Sequence, residues 1–125
     1  MKLIRTSVNE KYIDDAGVLQ IRILEDAEFN LENITMDHQA NLELTNGEKV
    51  LALVDARANF TATKEAVDHI RSGIMNKDRI ATAIVSNNLS SRLLLNFYLK
   101  IKAETPTRLF RDKDSAYKWL LSLRK

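Results

Sequence analysis

The stretch Lys49 to Arg57, KVLALVDAR, constrains the fold more than any other part of the chain. Five consecutive apolar residues, Val50 to Val54, lie between a turn signal at Asn46 and Gly47 and the charged residues Asp55 and Arg57. A short apolar run without alternation belongs to a strand covered on both faces, as the inner strands of a parallel sheet are. A second such run, Arg79 to Ser86, follows a helical pattern. The two strands and their connection therefore predict a βαβ unit at the centre of the molecule.

The length of 125 residues, 45% of them hydrophobic, suffices for one domain with a real core and falls short of two, so a single domain over residues 1–125 is expected. The absence of cysteine removes disulfide frameworks, thiolate metal sites and cysteine nucleophiles together and fits a cytoplasmic protein. The opening MKLIRTSVNEKY has no apolar run of signal-peptide length, and no stretch of about 18 apolar residues occurs, so no membrane insertion is expected. The net charge of +2 is too small to argue for nucleic acid, although it is unevenly spread. Residues 1–55 carry 5 basic against 11 acidic side chains, whereas residues 100–125 carry 8 against 3, the pattern of a solvated surface whose two ends attract weakly.

Taken in order, Lys2 to Ile13 and Val18 to Leu24 are β-prone runs around the turn Asp14, Asp15, Ala16 and Gly17, an N-terminal hairpin. Glu25 to Asn33 reads as an acidic irregular segment. Thr35 is the expected N-cap of a helix Met36 to Thr45, whose apolar side is thin: Met36, Ala40 and Leu44. After the central strand, Ala58 to Thr61 reads as a loop and Thr63 as the N-cap of a helix Lys64 to Met75, with Ala66, Val67, Ile70 and Ile74 as its stripe. In Arg79 to Ser86, Ile80, Thr82 and Ile84 point one way and Ala81, Ala83 and Val85 the other. Thr107 to Phe110 behind Pro106 is an expected edge strand, and Asp112 caps a last helix whose stripe Ala116, Trp119, Leu120 and Leu123 makes Trp119 a core anchor. Right-handed connections between neighbouring parallel strands place the helices mostly on one face of the sheet, with the other covered in some other way.

The helix Leu89 to Lys102, capped by Asn87 and Asn88, holds more apolar surface than one contact face needs. Leu93, Leu94, Phe97, Tyr98 and Ile101 cover one broad face, and Leu95 and Leu99 lie outside it. That surplus is covered within the monomer, by a protein partner or second subunit, or by a small apolar ligand. Catalytic signatures are missing: two histidines, His38 and His69, have no partner at i+4, three glycines leave no phosphate loop, and no nucleophile triad can be assembled. No metal, cofactor or enzymatic activity is therefore expected. One polar constellation remains, at the carboxyl ends of the strands: Asp55, Arg57, Thr61 and Thr63 beside Asn87, Asn88 and Arg92. Capping by Thr63 and Asn88, and pairing of Asp55 with Arg57 or Arg92, are the structural alternative to a ligand site.

The segments VLALVDAR at 50–57, RIATAIVSNNLSSRLLLNFYLKI at 79–101 and RLFRDKDSAYKWL at 108–120 resemble the SpoIIAA-like fold, shared with STAS (anti-sigma-factor antagonist) domains, and most closely its bacterial members of unassigned function. The resemblance runs from Gly17 onward. It implies an α/β domain in which an N-terminal β-hairpin precedes βαβαβα units in a mostly parallel sheet, and a regulatory, protein-binding use. Anti-sigma-factor antagonists carry a phosphoacceptor motif of the type Asp-Ser-Ser-Gly after the central strand. This chain has Phe60-Thr61-Ala62-Thr63-Lys64 there, so serine and glycine are both missing and only Thr61 or Thr63 could accept phosphate. The related lipid-binding branch implies the alternative of a carrier, with its apolar ligand between helix 89–102 and the sheet. The expectation is a non-enzymatic interaction module, as a homodimer through Leu95 and Leu99 or with another protein.

Overall fold

The computed structural model describes residues 2–72, 77–87 and 105–124. Six strands form one sheet: β1 (Leu3–Arg5), β2 (Asn9–Ile13), β3 (Leu19–Ile23), β5 (Val50–Asp55), β7 (Arg79–Val85) and β8 (Thr107–Phe110), side by side in that order. Pairing is antiparallel from β1 to β3 and parallel from β3 to β8. Two further strands, β4 (Ala27–Phe29) and β6 (Phe60–Ala62), pair in parallel as a separate ladder. Three helices are described: α1 (Leu31–Thr45), α2 (Lys64–Arg71) and α3 (Lys113–Ser122). The mixed α/β architecture and mostly parallel sheet match the expected fold class.

The central stretch is the inner strand its composition demands. Leu51 and Leu53 pack with Ala81, Ala83 and Val85 against Ala116 and Leu120 of α3. Ala52 and Val54 face the other way, toward α1 and α2. The two crossover helices share a face, as right-handed connections require. Helix α3 follows the last strand, crosses over to no neighbour, and folds beneath the opposite face over β5, β7 and β8. Two of the three described helices thus share one face, and α3 covers part of the other.

Several boundaries differ from the sequence reading. The run Lys2 to Ile13 is two strands, because the Thr6 hydroxyl accepts the N–H groups of Val8 and Asn9 at 3.2 and 3.1 Å and turns the chain between them. The result is a three-stranded meander. The second turn holds as expected, with Gly17 at φ 81° and the Asp14 carboxylate accepting the N–H groups of Ala16 and Val18. Helix α1 starts earlier than Met36: Asn30 is its N-cap, in a reciprocal capping box with Asn33, and the Thr35 hydroxyl donates back to the Leu31 carbonyl inside the helix. Glu25 to Asn33 and Ala58 to Thr61 contribute the β4–β6 ladder, locked by the edge-to-face rings of Phe29 and Phe60 at 5.8 Å. Thr63 caps α2 by accepting from Ala66 N–H; the described helix ends at Arg71 with Ser72 as its C-cap, and residues 73–75 of the expected helix lie outside the described residues. Trp119 is half-buried against Phe110 at the rim of its cluster, while Ala116 and Leu120 occupy the centre.

The pairing of β5 with β7 contains a bulge. Val50 is opposite Arg79 and Leu51 is opposite Ala81, so Ile80 is the extra residue. It is expelled to 47% exposure, and Arg79 is brought onto the same face as Thr82 and Ile84. Strict alternation had assigned Ile80 to that face.

Candidate functional site

The register of the first four strands of the sheet builds a row of alternating charge. Arg5 is opposite Glu10, Glu10 opposite Arg22, and Arg22 opposite Asp55. Registered residues share a face, so the four side chains stand beside one another across the sheet. Glu10 accepts from Arg5 and from Arg22, each at 3.1 Å. Asp55 takes a two-pronged hydrogen bond from Arg57, Nε to Oδ1 at 2.9 Å and Nη2 to Oδ2 at 2.8 Å. Burial pushes the Asp55 carboxyl up, but the hydrogen bonds and charge of Arg57, with Lys113 farther off, outweigh it and hold the group below its ordinary range. A second row lies beside the first: Leu3, Tyr12, Gln20 and Leu53. Among the described residues no helix covers this face of β1, β2 and β3, and Leu3 is 56% exposed.

Among the described residues, three clefts lie at or near the charged row. One of 150 Å³ lies over Leu3, Glu10, Tyr12, Arg22, Asp55 and Lys113. A second, of 270 Å³, runs between the sheet at Gln20 and Leu53 and the start of α3 at Lys113 and Tyr117. The third, of 690 Å³, opens at the carboxyl end of β3 between Arg5, Glu10, Arg22, Glu25, Asp26 and Asn30. The Asp14 carboxylate accepts from two residues that line the second cleft, Gln20 at 3.0 Å and the Tyr117 hydroxyl at 2.9 Å. Burial pushes Asp14 up, yet the donors Gln20, Val18, Tyr117 and Ala16 together hold it below the usual carboxylate value.

The strand-end constellation read from the sequence is divided. Asp55 and Arg57 are joined and reach the open face; of the two alternatives for Asp55, Arg57 is the partner among the described residues. Thr61 is exposed on β6, Thr63 caps α2, and Asn87 is exposed after β7. Asn88 and Arg92 lie outside the described residues, as do Leu95 and Leu99 and with them the contact face and ligand seat expected on helix 89–102. Among the described residues no cluster of three or more His, Asp or Glu could hold a metal ion.

A second polar group was not foreseen. Helix α1 turns Ile34, Asp37, Asn41 and Thr45 inward; of the apolar side expected there, Met36 is 58% exposed, Ala40 is half-buried, and Leu44 packs against Leu19, Ile21 and Ala52. The inward side chains meet β2. Lys11, at 0% exposure, is paired with Asp37 and donates to the Asn41 side-chain oxygen at 2.6 Å; Asn9 donates to the same Asp37 oxygen at 2.8 Å. Burial draws the Lys11 ammonium below its ordinary value, the Asp37 charge opposes that, and the nearby Arg79 adds to it. His38 and Asp78 stand 3.1 Å apart beside this group.

The comparison with solved structures shows the fold. An uncharacterized protein of the DUF3478 family from Shewanella loihica PV-4, whose crystal structure has a SpoIIAA-like fold, superposes with a TM-score of 0.59 at 16% identity, covering 95% of this chain and 90% of that one. No curated protein matches. A family model described as a domain of unknown function, DUF7793, matches residues 12–124. The chain belongs to the DUF7793 family. Within this DUF7793 chain the match takes in Arg22, Asp55, Arg57, Asp37 and Arg79, while Arg5, Glu10 and Lys11 precede it. No described helix is long and apolar enough to cross a membrane.

The residues that sequence reasoning missed, Asn9, Lys11, Asp37, Asn41 and Arg79, had one legible signal. Asp37, Asn41 and Thr45 recur every four residues in a helix whose apolar stripe is too thin to seat it. A polar stripe in that position faces either solvent or a buried partner, and only the fold decides which.

Proposed function

We propose that this DUF7793 chain is a non-enzymatic, cytoplasmic protein-interaction module, and that its partner on the open face of β1–β3 is a second copy of the chain. One observation carries the reading: a helix-free half-sheet, among the described residues, presents Arg5, Glu10 and Arg22 as alternating charges beside exposed Leu3. Mixed sign lets such a face meet itself about a two-fold axis, with Glu10 of each copy set against Arg5 or Arg22 of the other and Leu3 and Tyr12 supplying apolar contact. The ion pairs within one copy add little stability, about 0–1 kcal/mol each at the surface, so exchanging them for intermolecular ones is inexpensive. The resemblance to anti-sigma-factor antagonists supports a regulatory use of the contact. The missing serine at 60–64 argues against their phosphoacceptor switch.

The test is a double variant, Leu3→Glu with Arg22→Glu, which places two new carboxylates beside Glu10. It should keep its circular dichroism spectrum and sediment as a 14.3 kDa monomer under conditions where the parent is a dimer. A variant that remains dimeric removes this face from the contact. The surplus of Leu95 and Leu99 then becomes the surface to change.

A further inference from the structure

From β1 to β5 the charged row on the open face runs Arg5, Glu10, Arg22 and Asp55, and the row beside it runs Leu3, Tyr12, Gln20 and Leu53. A two-fold axis parallel to the strands keeps position along a strand and inverts position across the sheet, so it lays each row over its own reverse. Where that axis passes decides which charges meet. Through β2 it would set Glu10 over Glu10 and Arg5 over Arg22; through β3 it would set Arg22 over Arg22 and Glu10 over Asp55. Both placements oppose like charges. Between β1 and β2 the axis overlaps only two strands, and between β3 and β5 it drives β1 and β2 into α3, which covers β5, β7 and β8. Between β2 and β3 it sets Glu10 of each copy over Arg22 of the other. At the outer crossings Arg5 meets Asp55, which Arg57 already holds, so the choice rests on the centre.

The second row agrees with that placement. The same axis crosses Tyr12 with Gln20 and brings each Leu3, 56% exposed, over Leu53 of the other copy. Leu53 belongs to the cleft of 270 Å³ whose other side is Lys113, Tyr117 and Lys118 of α3. An exposed apolar side chain at one end of the row therefore faces an open cleft with leucine and tyrosine walls at the other.

We propose, resting on the self-contact above, that two copies pack open face to open face about an axis between β2 and β3, with Glu10 paired to Arg22 across it and Leu3 seated in the cleft between Leu53 and Tyr117. Sheets packed face to face lie about 10 Å apart, a gap that a glutamate and an arginine bridge together. Each α3 then flanks the β1 edge of the other sheet.

Charge reversal tests the axis. Arg22→Glu alone sets carboxylate against carboxylate at both central crossings, and Glu10→Arg alone sets guanidinium against guanidinium. Each variant by itself should self-associate about tenfold or more weakly than the parent in sedimentation, whereas an equimolar mixture of the two should associate as the parent does, because both crossings then join opposite charges. Circular dichroism reports whether each variant is folded. The chain has no cysteine, so a second measurement leaves the charged row intact: Leu3→Cys chains mixed with Lys118→Cys chains under mild oxidation. They should form the disulfide-linked pair of unlike chains several-fold more than Leu3→Cys mixed with Met36→Cys, a position exposed on α1 at the other face. A parent chain that is monomeric at every concentration removes the self-contact and this arrangement with it. A parent that dimerises overturns the arrangement alone if Arg22→Glu dimerises equally well, if the mixture associates no more than its components, or if cross-linking at Lys118→Cys is no greater than at Met36→Cys.

Discussion

Lys11 illustrates how the value of a buried charge depends on its partners. Alone in the core, its ammonium would be expensive; beside Asp37 and Asn41 it is satisfied, and α1 is tied to β2 through it. Lys11→Met leaves the Asp37 carboxylate without its buried counter-charge and should cost about 3–5 kcal/mol in urea unfolding. Adding Asp37→Leu should restore most of that loss, because two apolar side chains of similar size fill the space without uncompensated charge. A double variant no more stable than Lys11→Met would show that the pair does more than balance itself. Asp14 makes the complementary point at the other face. Its carboxyl is held below its ordinary value of 3.8, so the folded state binds fewer protons than the unfolded state across that window. The stability it contributes is fully present above 3.8 and is lost as pH falls through the lower folded value. Asp14→Asn should therefore be less stable than the parent at pH 7, and the gap should narrow in urea midpoints measured toward pH 3.

Elements with strong periodicity are where the packing energy lies. In α3, Ala116 and Leu120 are buried at the centre of the lower cluster with Leu53, Ala83 and Val85, so Leu120→Ala should cost about 2–5 kcal/mol by chemical denaturation. A loss below about 1 kcal/mol would mean that α3 contributes little to the core. The same elements were the legible ones. The apolar run of β5, the stripe of α3 and the caps Thr63 and Asp112 follow from local chemistry, and the structure keeps them. What was not legible depended on distant partners. Three-residue strands such as β4 and β6 are too short to show a period and exist because they pair with each other. Helix α1 was read too short because its buried side is polar, and nothing within residues 31–45 says that Lys11 waits beneath it. The bulge at Ile80 changes which face Arg79 serves, and one inserted residue leaves no mark in a strand of small apolar side chains.

For the molecule as a whole, crossover connections place α1 and α2 on one face of the sheet, and α3 covers β5, β7 and β8 on the other. That arrangement leaves the meander β1–β3 without a described helix on the α3 side, and it is there that the register lines up Arg5, Glu10, Arg22 and Asp55. The sequence pointed to Asp55 and Arg57 as strand-end residues but could not align them with β1 and β2, since cross-strand rows exist only once register is set. A fold alone assigns no activity, and the family model is one of unknown function, so a function has to be argued from the surface chemistry. A face of this kind pairs the chain with a second copy of itself. Solution mass by light scattering across a dilution series measures that pairing: a mass near twice 14.3 kDa, falling toward the monomer on dilution, is expected. A mass of 14.3 kDa at every concentration would contradict it.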